Sequence, residues 1–586
     1  MGWPYRFIDL SAEEIRLRRQ TLDRYGSYAH YSALAPIILV LLLRLGSYLR
    51  RRWQPSAAYD AVPISPALKE RRRSWSSNLD AKIRKGRWWL DDDVYFMGQH
   101  WGQKDQWVFG LAWASWLLVL SVLETGDDYL HITKRFGIIA ASQIPYQYLL
   151  ALKRFSPIAK VFGTSHEELN KWHRVLSRVT LSLLVLHAIF YLNFFVAKGI
   201  VQKRLFAPIV FAGVVAFATM NMMTSTAVAA VRRYSYRVFF VAHLVGALAI
   251  PPLVFFHAGS ARLFMAKALV VFLIDITVRR LRTITAPSKL ETVPGTNLVK
   301  ISASIPQDKV NAFRARPGSH IYLSVPSAAR PGAGPVSSKA MLFEFLFNPF
   351  TVASVDEETG NLTLVARELD GPLTKHLGRF ANAGTGTHDG KVPLCIEGPY
   401  GAASLHFDKL VSSSVDRVLL VAGGVGATFT IPIYQAILQD NPNTKVDLVW
   451  SVRSASDVTW AMAANKSAKS VLDGPSVQIY YTGDALNSDA TGPMAGLPIE
   501  TSSAGGMEMN AISPSGSRGN RLTSEQHRKR PDLRKIVDDV FKKGAEERIA
   551  VLVCGPSAMG REVREYVGAW VMRGRDVLWH NEGFGL

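Results

Sequence analysis

Apolar residues are concentrated in the first half of the chain, where they form long stretches separated by short polar segments. Each stretch approaches the roughly 20 apolar residues that a helix needs to cross a bilayer. The stretches cover residues 31–50, 106–123, 136–152, 172–196, 205–230, 236–257 and 261–281. Buried helices of a soluble domain are the alternative, but seven such runs before residue 283 favour the membrane. We therefore predict an all-α transmembrane bundle of seven spans over 31–283, after an N-terminal non-cytosolic segment, 1–30.

Near residue 287 the pattern changes to short β-branched runs separated by Gly and Pro. Residues 287–405 predict a small antiparallel β-barrel. Residues 416–586 alternate strand-like and helix-like segments, which predicts an α/β domain with a parallel sheet and crossover helices. Within that domain, residues 484–530 are rich in Ser, Gly, Asn and Ala and lack an apolar period, so we predict a disordered insertion there.

Basic residues outnumber acidic ones by 68 to 47, which gives a formal net charge of +21. Such a charge could indicate nucleic-acid binding, but much of it lies in loops after odd-numbered predicted spans, for example at 50–52 and 279–282. Basic loops stay in the cytosol. The charge therefore predicts a cytosolic C-terminal half and no nucleic-acid partner. Residues 1–30 lack the apolar core of a signal peptide, so no cleavable signal is expected.

Four histidines lie in the fourth and sixth predicted spans, and within each span the two are 14 residues apart: His173 and His187, His243 and His257. Fourteen residues advance a helix by about 21 Å and bring the side chains back to nearly the same face. The two spans run in the same direction, so His173 is level with His243 and His187 with His257. Two facing histidines can supply both axial ligands of a b-type haem. The spacing therefore predicts two stacked haems.

A single intramembrane histidine more often bonds to a neighbouring helix, but two pairs with equal spacing favour metal ligation. Arg174 and Arg178 lie close to His173 and could pair with haem propionates. Snorkelling or positive-inside placement explains these arginines equally well. The two cysteines, Cys395 and Cys554, exclude a disulfide framework and a CxxC-type zinc or thioredoxin site.

Phosphate-binding chemistry is indicated in the soluble half. An apolar strand runs into Gly423-Gly424-Val425-Gly426-Ala427-Thr428 and then a helix, where glycines let the backbone approach a pyrophosphate. A tight turn is an equally good interpretation of this segment alone. A second turn, Cys554-Gly555-Pro556, follows a later strand, and the carboxyl ends of parallel strands share one edge. Arg453 ends a third strand at that edge, and it is either a surface charge or a ligand of an NADPH 2′-phosphate.

The barrel contains two further segments that could contact a flavin: Asn348-Pro349-Phe350-Thr351 and Gly371-Pro372-Leu373-Thr374. An aromatic ring could flank the flavin and a Thr hydroxyl could bond to it, although either segment could be a β-turn. Glu397-Gly398-Pro399-Tyr400-Gly401 closes the barrel.

With these motifs in this order, the chain resembles the ferric reductase/NADPH oxidase superfamily, most closely the fungal ferric-chelate reductases. The resemblance spans about 105–586 and implies a ferredoxin-reductase-like FAD barrel and an NADPH-binding α/β domain. It implies two haem b groups on His173, His187, His243 and His257. It assigns FAD to Pro349, Phe350, Thr351, Gly371 and Thr374. It assigns NADPH to Gly423, Gly424, Gly426, Thr428, Cys554, Gly555 and Pro556.

The chain departs from the family pattern at three places. Asn348 replaces the histidine of H-P-F-[ST], which alters a flavin contact. The chain ends Phe584-Gly585-Leu586 rather than on the aromatic that covers the flavin, so Phe584 takes that role or the flavin is less shielded. The 484–530 insertion is long for a nucleotide domain.

The implied activity is electron transfer from cytosolic NADPH through FAD, an inner haem and an outer haem to a ferric or cupric chelate beyond the membrane. Because histidines fill both axial positions, outer-sphere transfer at the haem edge is favoured over a coordinated substrate. A superoxide-generating NADPH oxidase is the alternative, and a non-redox transporter or scaffold is a more remote one. The resemblance also implies an iron permease/oxidase partner system and a plasma-membrane location, with vacuolar or other internal membranes as the alternative.

Overall fold

The computed structural model describes residues 4–53, 75–326, 329, 347–369, 371–383, 390–401, 407, 410, 415–462, 474, 476–483, 525–527, 529–545 and 547–583. The chain forms two compact units. The first comprises residues before 283 other than 80–85, and the second comprises 80–85 and 283–585. Each unit is described separately below.

Helices dominate the chain before residue 283. They are α1 (Ala12–Ser32), α2 (Ala35–Trp53), α3 (Trp75–Leu90), α4 (Lys104–Val122), α5 (Tyr129–Ala151), α6 (Pro157–Phe162), α7 (His166–Ala197), α8 (Val201–Leu205), α9 (Pro208–Thr226), α10 (Ala229–Tyr234), α11 (Tyr236–His257) and α12 (Arg262–Arg282). A short hairpin, β1 (Asp93–Phe96) and β2 (Gln99–Gln103), precedes α4. The 3₁₀ turn Gly259–Ala261 joins α11 to α12.

Five helical segments among the described residues are long and apolar enough to cross a membrane. They are Ala12–Leu49, Lys104–Val122, His166–Ala197, Pro208–Thr226 and Tyr236–His257. The prediction of seven spans is therefore not confirmed. Helices α5 and α12 occupy the third and seventh predicted positions but are not among these candidates; α5 carries Lys134 and Arg135, and α12 carries six charged side chains. The first candidate begins at Ala12, within the segment that we predicted to precede the bundle, because Ser11 and Glu14 form a capping box there.

Helix α5 differs from the other predicted spans because most of its surface is enclosed by protein. Arg135, on this helix, is fully buried and donates to the carbonyls of Leu120 and Leu123 at 3.0 and 3.3 Å. Its guanidinium lies 4.0 Å from the ring centroid of Tyr25 on α1. Protein groups around α5 thus bind the Arg135 guanidinium except at Nε, which has no partner among the described residues. These bonds account for a low-hydropathy helix inside the bundle.

The second unit begins with a closed antiparallel barrel, as the alternation predicted. Its strands, in the spatial order β3-β4-β7-β6-β5-β8, are β3 (Ile284–Thr292), β4 (Leu298–Ser304), β7 (Asn361–Arg367), β6 (Asn348–Val355), β5 (His320–Ser324) and β8 (Val392–Tyr400). Alternate residues such as Ile301, Ile321 and Leu364 point inward and are fully buried. Helices α13 (Gln307–Arg314) and α14 (Pro372–Ala383) lie in the connections.

A parallel six-stranded sheet follows the barrel in the order β12-β11-β10-β9-β13-β14. Its strands are β9 (Arg417–Gly423), β10 (Lys445–Val452), β11 (Val477–Tyr481), β12 (Glu525–His527), β13 (Ile549–Cys554) and β14 (Val577–Glu582). The crossover segments include α15 (Ala427–Asp440), α16 (Leu533–Lys543), α17 (Ser557–Met572) and the 3₁₀ turns Gly424–Gly426 and Ala455–Ala461. The central strand β13 is apolar throughout, and β9 is apolar after Arg417, because helices cover both faces of such a sheet.

The predicted insertion falls mostly outside the described residues, at 484–524. The three residues of β12, which we had included in it, form the edge strand of the sheet and pair with β11.

Candidate redox sites

Helices α7 and α11 bring the four membrane histidines together in two pairs. The ring centroids of His173 and His243 are 6.1 Å apart, and those of His187 and His257 are 6.4 Å apart. A metal bound about 2 Å from one nitrogen of each imidazole places two ring centroids roughly 6 Å apart. The spacing in both pairs therefore fits a metal held between two imidazoles, as in a bis-histidine haem.

Hydrogen bonds to backbone carbonyls orient three of the four imidazoles. The Nδ1–H groups of His173, His187 and His257 donate to the carbonyls of Gln147, Thr133 and Ile209 at 2.9, 2.8 and 2.8 Å. A proton held on Nδ1 leaves the lone pair on Nε2, the arrangement usual for metal-ligating histidine. The buried Nδ1 of His243 has no partner among the described residues.

The two glycine turns of the nucleotide domain pack directly against each other. Gly424 has φ +56°, a left-handed conformation that favours glycine. A Cβ on Gly426 would lie 2.1 Å from the Cys554 carbonyl oxygen, and a Cβ on Gly423 would lie 2.7 Å from Pro556 Cδ. The structure therefore brings both predicted nucleotide segments to one edge of the sheet, where such folds bind their ligands.

The side chains at that edge differ in what they offer a nucleotide. The hydroxyl of Thr428 donates to the Val425 carbonyl at 2.8 Å and so supports the turn from within. Arg453 follows β10 and is exposed, while its carbonyl accepts the N–H of Gly483 at 3.1 Å. Burial, reinforced by the negative charge of Glu582, raises the pKa of the Cys554 thiol. That thiol is therefore protonated at neutral pH and is not a nucleophile.

The flavin candidates lie on β6 and at the start of α14. Strand β6 pairs Pro349 with Tyr322 and Thr351 with His320, and Phe350 lies between them. The Thr351 hydroxyl is buried and has no partner among the described residues, so it is available to a ligand. Thr374 instead donates to the Leu369 carbonyl at 2.8 Å.

Gly371 is exposed immediately before α14. Phe584, the candidate cover of the flavin, lies outside the described residues.

Arg367 is a candidate that the sequence analysis missed. It ends β7, and a Cβ on Gly424 would lie 3.4 Å from its Nη2. Its buried Nε has no partner among the described residues. Next to it in the chain, Glu368 and Leu369 line a cavity of about 340 Å³ with Asn297 and Lys375. The only available signal was an arginine at a strand end, which is common at protein surfaces.

Three family models match consecutive regions of the chain and together cover more than half of it. The ferric reductase like transmembrane component matches residues 136–254, the FAD-binding domain 284–404 and the ferric reductase NAD binding domain 415–568. The chain belongs to the ferric reductase family. It is a membrane oxidoreductase with FAD-binding and nicotinamide-nucleotide-binding domains, which confirms the resemblance stated above.

Curated relatives of this ferric reductase family member come from yeasts. A probable metalloreductase AIM14 of Meyerozyma guilliermondii is 27% identical over 78% of this chain and 85% of its own length. Ferric/cupric reductase transmembrane component 2 of Schizosaccharomyces pombe is 23% identical over 77% of this chain and 80% of its own. Among solved structures, flavohemoglobin from Malassezia yamatoensis aligns at 14% identity and a TM-score of 0.30, over 76% of this chain and 96% of that one. The family models, rather than that alignment, establish the membership.

Proposed function

We propose that the protein moves electrons from cytosolic NADPH through FAD and two b-type haems to a ferric or cupric chelate beyond the membrane. One observation carries the proposal: two histidine pairs on the same two helices have ring separations of 6.1 and 6.4 Å, which suit a metal between them. When bound, the flavin and haems supply the conversion of two-electron to one-electron transfer. Each NADPH oxidised to NADP⁺ and a proton accounts for two ferric ions reduced.

The histidines determine the kind of acceptor. His173 and His243 would hold the inner haem, and His187 and His257 would hold the outer one. No coordination position would then remain for a substrate. Electrons must therefore leave by outer-sphere transfer, which suits a metal chelate. The name of the S. pombe relative, a ferric/cupric reductase component, supports the same substrate class.

Residues of the second unit would bind the two nucleotides. The adjoining turns with Gly423, Gly424, Gly426, Cys554, Gly555 and Pro556 would hold NADPH, with Thr428 supporting the first turn and Arg453 contacting the 2′-phosphate. Pro349, Phe350, Thr351, Gly371 and Thr374 would hold FAD, and Phe584 is a further candidate for contact with the flavin. Packing between the two glycine turns supports the first of these assignments.

A His187→Ala variant tests the haem assignment. We expect loss of about half of the b-type absorbance and of NADPH-driven Fe(III) reduction across the membrane, because the outer level lacks a ligand. Flavin-dependent diaphorase activity should remain. The control His100→Ala, at an exposed histidine in β2, should retain all three. Preserved transmembrane Fe(III) reduction in His187→Ala would contradict the assignment.

Two further measurements separate the alternative functions. A reduced-minus-oxidised spectrum without a b-type α-band would favour a non-redox transporter or scaffold. Loss of Fe(III) reduction when superoxide dismutase is added would favour a superoxide-generating oxidase. Unchanged reduction in its presence is the result expected of a metalloreductase.

A further inference from the structure

Backbone carbonyls that accept from the histidines lie in register along the neighbouring helices. On α5, Thr133 and Gln147 are 14 residues apart, the same spacing as His187 and His173 on α7. The Thr133 carbonyl accepts from His187 and the Gln147 carbonyl accepts from His173. Helices α5 and α7 therefore run antiparallel, and each carbonyl lies at the level of its histidine. Helix α9 offers the Ile209 carbonyl to His257 on α11. Each outer imidazole therefore docks on the backbone of a helix that carries no ligand.

A glycine follows each of the two outer carbonyls by four residues: Gly137 after Thr133, and Gly213 after Ile209. Residues four apart on a helix lie one above the other on the same face. The side chain at the glycine position would therefore stand where the docked imidazole lies. A Cβ on Gly137 would be 2.7 Å from Cε1 and Nδ1 of His187, and one on Gly213 would be 2.4 Å from the same atoms of His257.

The inner level lacks this arrangement. The residue four positions after Gln147 is Ala151, which is the last residue of α5, so the helix does not continue beyond it. His243 has no carbonyl partner among the described residues. The combination of an accepting carbonyl and a glycine four residues later is thus specific to the outer pair, where it occurs on two separate helices.

We propose that Gly137 and Gly213 are positioning residues for the outer pair, which let His187 and His257 reach a helix backbone and fix their ring planes and Nδ1 protons. The proposal rests on the haem ligation proposed above but not on the identity of the nucleotide or the acceptor. A ring atom at 2.4–2.7 Å from a methyl carbon cannot stay in place, because the imidazole is rigid. Alanine at either position displaces the ring and breaks its hydrogen bond.

The test compares Gly137→Ala and Gly213→Ala with two glycine controls in the full-length, detergent-solubilised protein. Gly110→Ala is also crowded, since its Cβ would lie 2.8 Å from Val175 Cγ1, but it faces no histidine. Gly46→Ala meets nothing within 4 Å. The readouts are haem per protein, low-temperature reduced-minus-oxidised spectra, the electron paramagnetic resonance of each ferric haem, and redox titration. Retained FAD verifies that the second unit is folded, and a retained inner haem verifies that the helical unit is folded.

We expect both test variants to change one haem signal and leave the other intact, with roughly 10- to 100-fold weaker retention of the affected haem, as for other groups that orient metal ligands. The midpoint potential of the affected haem should rise, since the lost hydrogen bond had strengthened donation to the ferric ion. Both controls should match the unmodified protein. Unchanged signals in both test variants, or an equal change in Gly110→Ala, would overturn the proposal. Absence of b-type haem from the unmodified protein would instead overturn the proposed function.

Discussion

Arg453 lies at the carboxyl edge of the sheet, two residues beyond Ser451, which pairs with Gly423 of the glycine turn. If its guanidinium binds the 2′-phosphate, Arg453→Ala should raise KM for NADPH about 10- to 100-fold, the equivalent of a charge-assisted hydrogen bond of ~1.5–3 kcal/mol. KM for NADH, which lacks that phosphate, should stay unchanged. Steady-state kinetics of diaphorase activity with each nucleotide measure the two constants.

The two nucleotides act as each other's control in this experiment. An equal rise in KM for both would mean that Arg453 supports the turn or contacts a part that both nucleotides share. No change for either would leave Arg453 as the surface charge that the sequence equally allowed.

The sequence alone identified some of the candidate site residues and missed others. The 14-residue spacing placed the four histidines on facing levels, because helix periodicity alone relates positions within a helix. The carbonyls of Thr133 and Ile209, and the glycines beyond them, could not be found that way. Their role depends on which helices pack together, and periodicity carries no information about neighbours. Arg367 was missed for the same reason, since β7 comes close to the glycine turn only in the folded unit.

At the scale of elements, an ion-pair cluster joins the amino ends of three adjacent strands of the sheet. Arg417, which begins β9, binds Glu547 at 2.7 Å and Asp447 at 3.2 Å, and Lys445 also binds Glu547 at 2.7 Å. Partial burial acts to raise the pKa of Glu547, but the hydrogen bonds and charges of Arg417 and Lys445 outweigh it and lower the pKa. The cluster lies at the edge opposite the nucleotide turns, so it supports the sheet without touching a ligand.

The lowered pKa of Glu547 predicts how stability depends on pH. A carboxyl group with a depressed folded-state pKa contributes stability above its unfolded pKa, and the contribution is lost as pH falls through the folded value. Thermal unfolding of the second unit should therefore become easier as pH falls below about 4.5, the ordinary glutamate value. Glu547→Gln should lose about 1–3 kcal/mol at pH 7, as expected when a charged hydrogen-bond partner is removed.

Calorimetry of the full chain at pH 7 and pH 4 measures both effects. Glu358→Gln, at an exposed carboxylate in the β6–β7 turn, is the control and should unfold like the unmodified protein at both values. A pH dependence that is undiminished in Glu547→Gln would assign the acid sensitivity to other carboxylates.

Element types were predicted correctly where the periodic pattern was long, whereas the assignment of α5 as a membrane span stays unconfirmed. The barrel and the parallel sheet followed from alternation and from strand-helix order. Helix α5 was predicted as a span because its apolar run from residue 136 is long, yet Lys134 and Arg135 directly precede that run within the same helix. Hydropathy cannot tell a helix enclosed by other helices from one that faces lipid. The fully buried side chain of Arg135 shows that protein encloses α5 at this position.

At the scale of the whole molecule, membrane topology is open to a direct test. Asn361-Leu362-Thr363 is a glycosylation sequon in β7, within the half that the basic loops predict to be cytosolic. We expect no mobility shift after endoglycosidase treatment, and a C-terminal tag that antibodies reach only after permeabilisation. A glycan on Asn361, or a tag accessible on intact cells, would reverse the orientation.

The order of the domains was predictable because composition changes along the chain. Long apolar runs end near residue 283, and the division between the two compact units falls at the same place. The three family models follow the same order. The span count is the part of the architecture that stays unconfirmed, since α5 and α12, the third and seventh predicted spans, are not among the five candidates in the described residues.

The matched spacing on α5 and α7 also limits how this protein can vary. One inserted residue between Thr133 and Gln147 would turn one carbonyl about 100° away from its imidazole while leaving the other in place. The same insertion between His173 and His187 would shift the ligands themselves. The carbonyl spacing on α5 must therefore equal the histidine spacing on α7. An insertion in one helix can persist only when the other helix changes by the same length. The distance between the two histidine levels, about 21 Å along the helix, is consequently fixed both by α5 and by α7.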